Sequence, residues 1–136
     1  MLEKILCVDD DPITLMLCKK VIKKSDFSQE IDSANNGEEA LKYFDNLIIE
    51  NVNQANNFPQ LIFLDLNMPI MNGWEFLDIF SKNEYLENFY KTKVIVLSST
   101  IDPNDIKKSK DYPMVIEFLS KPITSEILEI LKNIIK

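Results

Sequence analysis

The stretch Leu61-Ile62-Phe63-Leu64-Asp65 constrains the fold of this chain more than any other. Four apolar side chains run together with no polar alternation and meet one carboxylate. Leu66-Asn67-Met68-Pro69 then turns the chain. A strand apolar on both faces is buried on both faces, as in a parallel sheet. Asp65 falls at its C-terminal end, and in open α/β sheets that edge is where ligands bind.

The rest of the chain supplies neighbours for such a strand. Lys4-Ile5-Leu6-Cys7-Val8 is a short apolar run ending in Asp9-Asp10-Asp11, and Pro12 then suits a first helical position with Asp11 as N-cap. Ile13, Met16, Leu17, Val21 and Ile22 recur at helical spacing and predict the buried face of that helix, with Lys19, Lys20, Lys23 and Lys24 on the solvated side. Gln29 to Ala34 alternates weakly and reads as an edge strand. Asn35-Asn36-Gly37 starts a helix with the stripe Ala40, Leu41, Phe44, Leu47 and Ile48. Asn51 to Gln60, rich in Asn, reads as a surface loop.

After the central strand, Met68 to Gly73 is a loop, and Gly73 is expected to supply a backbone conformation for its turn. A third helix begins at Trp74, and Asn83 to Lys91 reads as irregular or a short extra turn. Val94 to Leu97 is a second fully apolar strand, closed by Ser98-Ser99-Thr100. Asp102-Pro103 repeats the cap-plus-Pro helix start. Met114 to Leu119 is the fifth strand and runs into Ser120-Lys121-Pro122. Thr124 caps a last helix with the stripe Ile127, Leu128, Leu131, Ile134 and Ile135. Five alternating strand-helix units predict an α/β fold, with a five-stranded parallel sheet, helices on both faces and right-handed crossovers.

Composition removes several chemistries. The chain has no His, so His-based triads, His metal sites and His phosphoacceptors are excluded. All 15 basic residues are Lys, so no guanidinium fork is present. Two glycines and no Gly-rich loop argue against a dinucleotide or flavin site. A net charge of −7 argues against non-specific nucleic-acid binding. Cys7 and Cys18 lack metal-site spacing and read as small core residues. Neither a membrane span nor a signal peptide is visible, so a cytoplasmic location is the default.

Placing the strand-end residues on one rim brings Asp9, Asp10 and Asp65 together with Ser98, Thr100 and Lys121. Taken singly, each has a structural explanation: loop acids, strand-terminating hydroxyls, a surface lysine. Four separate strand ends carrying complementary groups is the stronger pattern. Crowded carboxylates repel one another, and a hard cation such as Mg²⁺ relieves that repulsion. A carboxylate beside it can attack phosphorus, with Lys121 and the Ser98 hydroxyl facing the equatorial oxygens.

Val8-Asp9-Asp10-Asp11-Pro12, Leu64-Asp65-Leu66-Asn67-Met68-Pro69 with Met71-Asn72-Gly73, Leu97-Ser98-Ser99 and Phe118-Leu119-Ser120-Lys121-Pro122 stand in an order and spacing that resembles the receiver domain of bacterial two-component response regulators. The resemblance covers essentially the whole length. It implies a flavodoxin-like doubly wound sheet of order 2-1-3-4-5 and one receiver domain over residues 1–136, stand-alone and similar to the chemotaxis receiver, without an output domain. It implies Asp65 as phosphoacceptor. Asp10, Asp65 and the Asn67 backbone carbonyl would bind Mg²⁺, with Asp9 acting through water. Ser98 and Phe118 match the switch pair and Lys121 the phosphoryl-pairing lysine, with a cis Lys121-Pro122 bond. Ser99 stands where a smaller residue is usual, and Phe118 has no hydroxyl. The Asn-rich loop looks similar to that of receivers linked to phytochrome-type kinases.

The implied function is a phosphorylation-activated switch in a phosphorelay. A sensor histidine kinase or phosphotransfer protein would bring the missing His, and a downstream protein would read the changed surface. Catalysis would be confined to self-phosphorylation and autodephosphorylation. Two other classes compete with this reading. A haloacid dehalogenase-type phosphatase also forms an aspartyl phosphate, but it places a second Asp where this chain has Asn67. A receiver-like module working without phosphorylation would have no need of the intact acidic set.

Overall fold

The computed structural model describes residues 2–50 and 58–135. Five strands are β1 (Leu2–Val8), β2 (Ser28–Ala34), β3 (Leu61–Asp65), β4 (Lys93–Ser98) and β5 (Val115–Ser120). Six helices are α1 (Pro12–Lys24), α2 (Gly37–Glu50), α3 (Gly73–Phe80), α4 (Asn83–Phe89), α5 (Pro103–Ser109) and α6 (Ser125–Ile135). All strand pairs are parallel, in the order β2-β1-β3-β4-β5. The expected doubly wound α/β sheet is therefore present. Most of the Asn-rich 51–60 loop lies outside the described residues.

Alternation along β3 divides the core in two. Ile62 and Leu64 join Leu6, Val8, Val94 and Val96 against α2, α3 and α4. Leu61 and Phe63 join Ile5, Cys7, Ile95 and Leu97 against α1 and α6. All five residues of β3 are buried, Asp65 included. Successive side chains on a strand point to opposite faces. Asp65 thus belongs to the α1/α6 face, like Phe63 two residues before it.

The helices show where the amphipathic reading holds and where it slips. In α1 the buried residues are Leu15, Cys18 and Ile22, while Ile13, Met16 and Leu17 are exposed and Val21 is half-buried. The expected stripe was wrong except at Ile22. Both sets share the helical period, so spacing alone could not choose between them. Asp11 accepts from the Ile13 N–H at 2.9 Å and Pro12 opens the helix; packing against the sheet then selects the Leu15 face. In α6, Leu128 and Leu131 are buried and Ile134 is half exposed, although the last helix was expected to bury it. Thr124 does cap this helix, accepting from the Ile127 N–H at 3.2 Å.

The 83–89 segment is a true helix rather than an irregular stretch. Its N-cap, Lys82, makes no side-chain cap bond, and Phe89 is its one buried residue. Packing holds it: the Phe89 ring lies 4.7 Å from Phe44 and 6.0 Å from Phe80. On the α3 side, Trp74 stacks on Tyr112 at 5.9 Å, and the Lys108 ammonium lies 4.6 Å above the Trp74 ring. Among the described residues no helix is long and apolar enough to cross a membrane.

Gly73 does not serve the turn by its conformation, since neither glycine of the chain has positive φ. It serves close approach. Its N–H donates to the Leu66 carbonyl at 3.0 Å, and a Cβ there would stand 2.6 Å from the Asp65 carbonyl oxygen and 2.9 Å from Leu66 Cα. Both obstacles are backbone, so something rigid must shift. The unusual conformation falls instead on Ile70, at φ 69. Gly73→Ala is expected to cost about 1–3 kcal/mol, the scale of core overpacking. Urea unfolding should show a lower midpoint with an unchanged slope; an unchanged midpoint would remove the close-approach role.

Candidate functional site: an acidic pocket at the strand edge

The C-terminal ends of β1, β3, β4 and β5 meet at one edge of the sheet. β1 pairs with β3 through Cys7↔Phe63 and Val8↔Leu64. One step further, that register sets Asp9 beside Asp65. β4 follows with Asp65↔Leu97, and the Lys121 N–H donates to the Ser98 carbonyl at 2.8 Å. Backbone hydrogen bonding between strands thus delivers the functional side chains.

Asp9, Asp10 and Asp65 each offer a carboxylate oxygen, and these oxygens lie within 4.8 Å of one another. Asp9 and Asp65 are buried and Asp10 is exposed. Lys121 Nζ reaches both buried carboxylates, at 2.6 Å from Asp9 Oδ2 and 3.3 Å from Asp65 Oδ1. The Asp11 N–H donates to Asp9 Oδ1 at 3.0 Å, and the Asn67 N–H reaches Asp65 Oδ1 at 3.5 Å. Ser98 is buried at the end of β4, where its Oγ accepts from the Thr100 N–H at 3.3 Å.

The expected residues thus fall into two groups. Asp9, Asp10, Asp65 and Lys121 are brought into one charged cluster. Ser98 and Asn67 stand at its edge, Ser98 buried and Asn67 exposed. Phe118 lies apart, half-buried in β5 and packed against the α2–α4 side of the core. The Lys121-Pro122 bond is cis.

Electrostatics follows from this placement. Burial, and then the Asp9 charge, pushes the Asp65 carboxyl above its ordinary 3.8, with Lys121 pulling the other way. Burial alone would lower the Lys121 ammonium. Its hydrogen bond to Asp9 and the charges of Asp65 and Asp9 outweigh that and hold it above its ordinary 10.5. One ammonium facing three acids leaves the cluster net negative. Such a donor set fits a hard divalent cation, which takes one or two carboxylates plus other oxygens.

Sequence reading missed several features. Asn72 and Glu75 form a reciprocal capping box at the start of α3, bonded at 2.9 and 3.1 Å; the Asn-x-x-Glu spacing was visible. The loop after Asp65 is also tied to α2, where the Gly37 N–H donates to the Met71 carbonyl at 2.9 Å. No local signal announces that long-range bond. The pairing of Lys121 with Asp9, rather than with Asp65 alone, also needed the register.

This fold and site define a doubly wound parallel α/β protein with an acidic pocket at its carboxyl strand edge. The chain belongs to the response regulator receiver domain family, whose match spans residues 5–133. It is a receiver of the kind that histidine kinase systems use as a phosphoacceptor signalling switch. It is 31% identical over 132 residues to hybrid signal transduction histidine kinase C of Dictyostelium discoideum, covering 94% of this chain and 10% of that protein. Hybrid signal transduction histidine kinase L of the same organism is 30% identical over 98% of this chain and 7% of its own length. The chain therefore spans a tenth or less of these relatives. Among solved structures, a two-component response regulator from Cytophaga hutchinsonii superposes with a TM-score of 0.85 at 32% identity, covering 98% of this chain and 96% of that one. The phosphorylated cyanobacterial phytochrome response regulator RcpA gives 0.71 at 29% identity, covering 98% and 91%.

Asp65 has its folded pKa raised, so its ionised form costs the folded state. The stability tied to this group is fully present below the unfolded pKa and lost as pH rises through the folded one. Without metal, Asp65→Asn should therefore be more stable than the parent at about pH 7. The advantage should close as pH falls below the ordinary carboxylate range of about 4. Chemical denaturation in chelator at the two pH values measures this; a parent more stable at neutral pH would contradict the charge balance of the cluster.

Proposed function

We propose that Asp65 is the phosphoacceptor of this switch. The cluster of Asp9, Asp10 and Asp65, with Lys121 bridging two of them, carries the reading. It gathers one buried carboxylate able to attack phosphorus, a donor set for a divalent cation and one ammonium for phosphoryl oxygens. Asp65 Oδ attacks phosphorus, the bond to the donor nitrogen or acyl oxygen breaks, and an acyl phosphate results. Asp10, Asp65 and the Asn67 backbone carbonyl would hold Mg²⁺ directly, with Asp9 through water; bound there, the cation offsets charge on the phosphoryl oxygens.

Lys121 then exchanges its carboxylate partners for the phosphoryl group, and the Ser98 hydroxyl turns from the Thr100 N–H to donate to it. Phe118 follows by filling the space behind Ser98. This switch needs two packings separated by a few kcal/mol. The phosphodonor is a sensor histidine kinase or His phosphotransfer protein, as the histidine kinase relatives suggest. Self-catalysed phosphotransfer and autodephosphorylation are its only chemistry. Output is a changed protein-binding surface on α5, β5 and α6, read by a downstream protein. The phosphorylated phytochrome response regulator neighbour supports the same reading.

Acetyl phosphate and Mg²⁺ should add one phosphate to the intact protein by mass spectrometry. Chelator or Asp65→Asn should abolish the adduct. No adduct would favour a phosphorylation-independent module, and sustained turnover of external phosphomonoesters would favour a phosphatase.

Lys121→Ala should still accept phosphate but lose the response. Hydrogen exchange across Val115–Ser120 should change on phosphorylation of the parent and stay flat in the variant. A variant that responds like the parent would remove Lys121 from the switch.

A further inference from the structure

The chain's two cysteines meet beside the acidic pocket. Cys7 is the next-to-last residue of β1, and alternation turns it to the α1/α6 face. Cys18 looks back from α1, between Leu15 and Ile22 on the buried stripe. Both are buried free thiols, set on facing elements of the same core. They also share the wall of one recess with Asp9 and Asp65. That recess holds about 10 Å³ and is completed by Val8, Thr14, Leu15, Phe63 and Leu97.

Small size and burial would explain either cysteine alone as core filler. They do not explain why the two thiols line one small recess from opposing elements. Thiols lining one recess of that size are near enough for a sulfur–sulfur bond of about 2.05 Å to be closed by a local adjustment. The ring so closed would contain Asp9, Asp10 and the α1 cap Asp11. A bond between them would tie the end of β1 to α1, and strain in that ring would shift Asp9 and Asp10 against Asp65.

We propose that Cys7 and Cys18 form a redox modification site, a dithiol that peroxide converts to a disulfide, and that this disulfide slows phosphorylation of Asp65. The inference rests on the phosphoacceptor reading above. Peroxide is the oxidant class because the recess, on the order of one water in size, excludes bulky thiol partners. Cys18, at 8% exposure against 2% for Cys7, is the sulfur reached first. It attacks one peroxide oxygen, the O–O bond breaks, and the thiol proton leaves with the departing hydroxyl as water. The Cys7 sulfur then attacks the sulfenic sulfur, and its proton leaves with the hydroxyl as a second water. Two thiols lose two electrons and the peroxide gains them.

The test treats the whole chain with hydrogen peroxide, denatures it in N-ethylmaleimide and reads its mass, with acetyl phosphate labelling in parallel. The expected product has lost two hydrogens and takes no maleimide. Its labelling is about tenfold slower, as small displacements of reacting groups produce, and dithiothreitol restores it. Cys18→Ala and Cys7→Ala should each label after peroxide at their untreated rate. Two maleimide adducts, added oxygens without a cross-link, or a disulfide with unchanged labelling would each overturn the proposal. A reduced protein that takes no label at all would instead refute the phosphoacceptor reading, and the control of labelling with it.

Discussion

A buried carboxylate at the end of an all-apolar strand cannot stand alone. Moving a charge from water into a protein interior costs several kcal/mol, and a partner must offset it. For Asp65 the partner is the Lys121 ammonium, which also holds Asp9. These three residues come from the ends of β3, β5 and β1, so one interaction ties together strands far apart in sequence. The sheet register makes the pairing possible, and the pairing makes the buried acid tolerable. One cation for two buried acids still leaves an excess of negative charge, the kind of charge a hard divalent cation offsets.

The sheet's alternation gives its two faces different work. The α2–α4 side is densely aromatic, with Phe44, Phe76, Phe80 and Phe89 packed ring on ring. The α1/α6 side carries the polar business: Asp9 and Asp65 line the same recess as Cys7, Cys18 and Leu97.

Much of this was legible in the sequence. The apolar runs at 61–64 and 94–97 identified buried parallel strands, because a strand covered by helices on both faces accepts continuous hydrophobic residues. The polar residues closing those runs marked the functional rim, and Asp9, Asp10, Asp65 and Lys121 do converge there. Legibility failed where two solutions share one period. Ile13-Met16-Leu17 and Leu15-Cys18-Ile22 both repeat helically, and only tertiary docking chose the second. It failed again where a tertiary contact replaced a local signal. Phe89 holds α4 without a cap, and Gly73 answers the Asp65 backbone rather than a turn conformation.

Trp74 is the chain's single tryptophan. It projects from α3 against the segment joining α5 to β5, stacked on Tyr112 and covered by Lys108. Tyr112 in turn donates its hydroxyl proton to the Asp78 carboxylate on α3. The segment that leads into β5 is thereby pinned to the helix that begins just beyond the loop after Asp65. Any displacement of one against the other must open that stack. The indole is therefore a native optical gauge, placed between the charged pocket and the surface that would report its state, and reading it requires no added label.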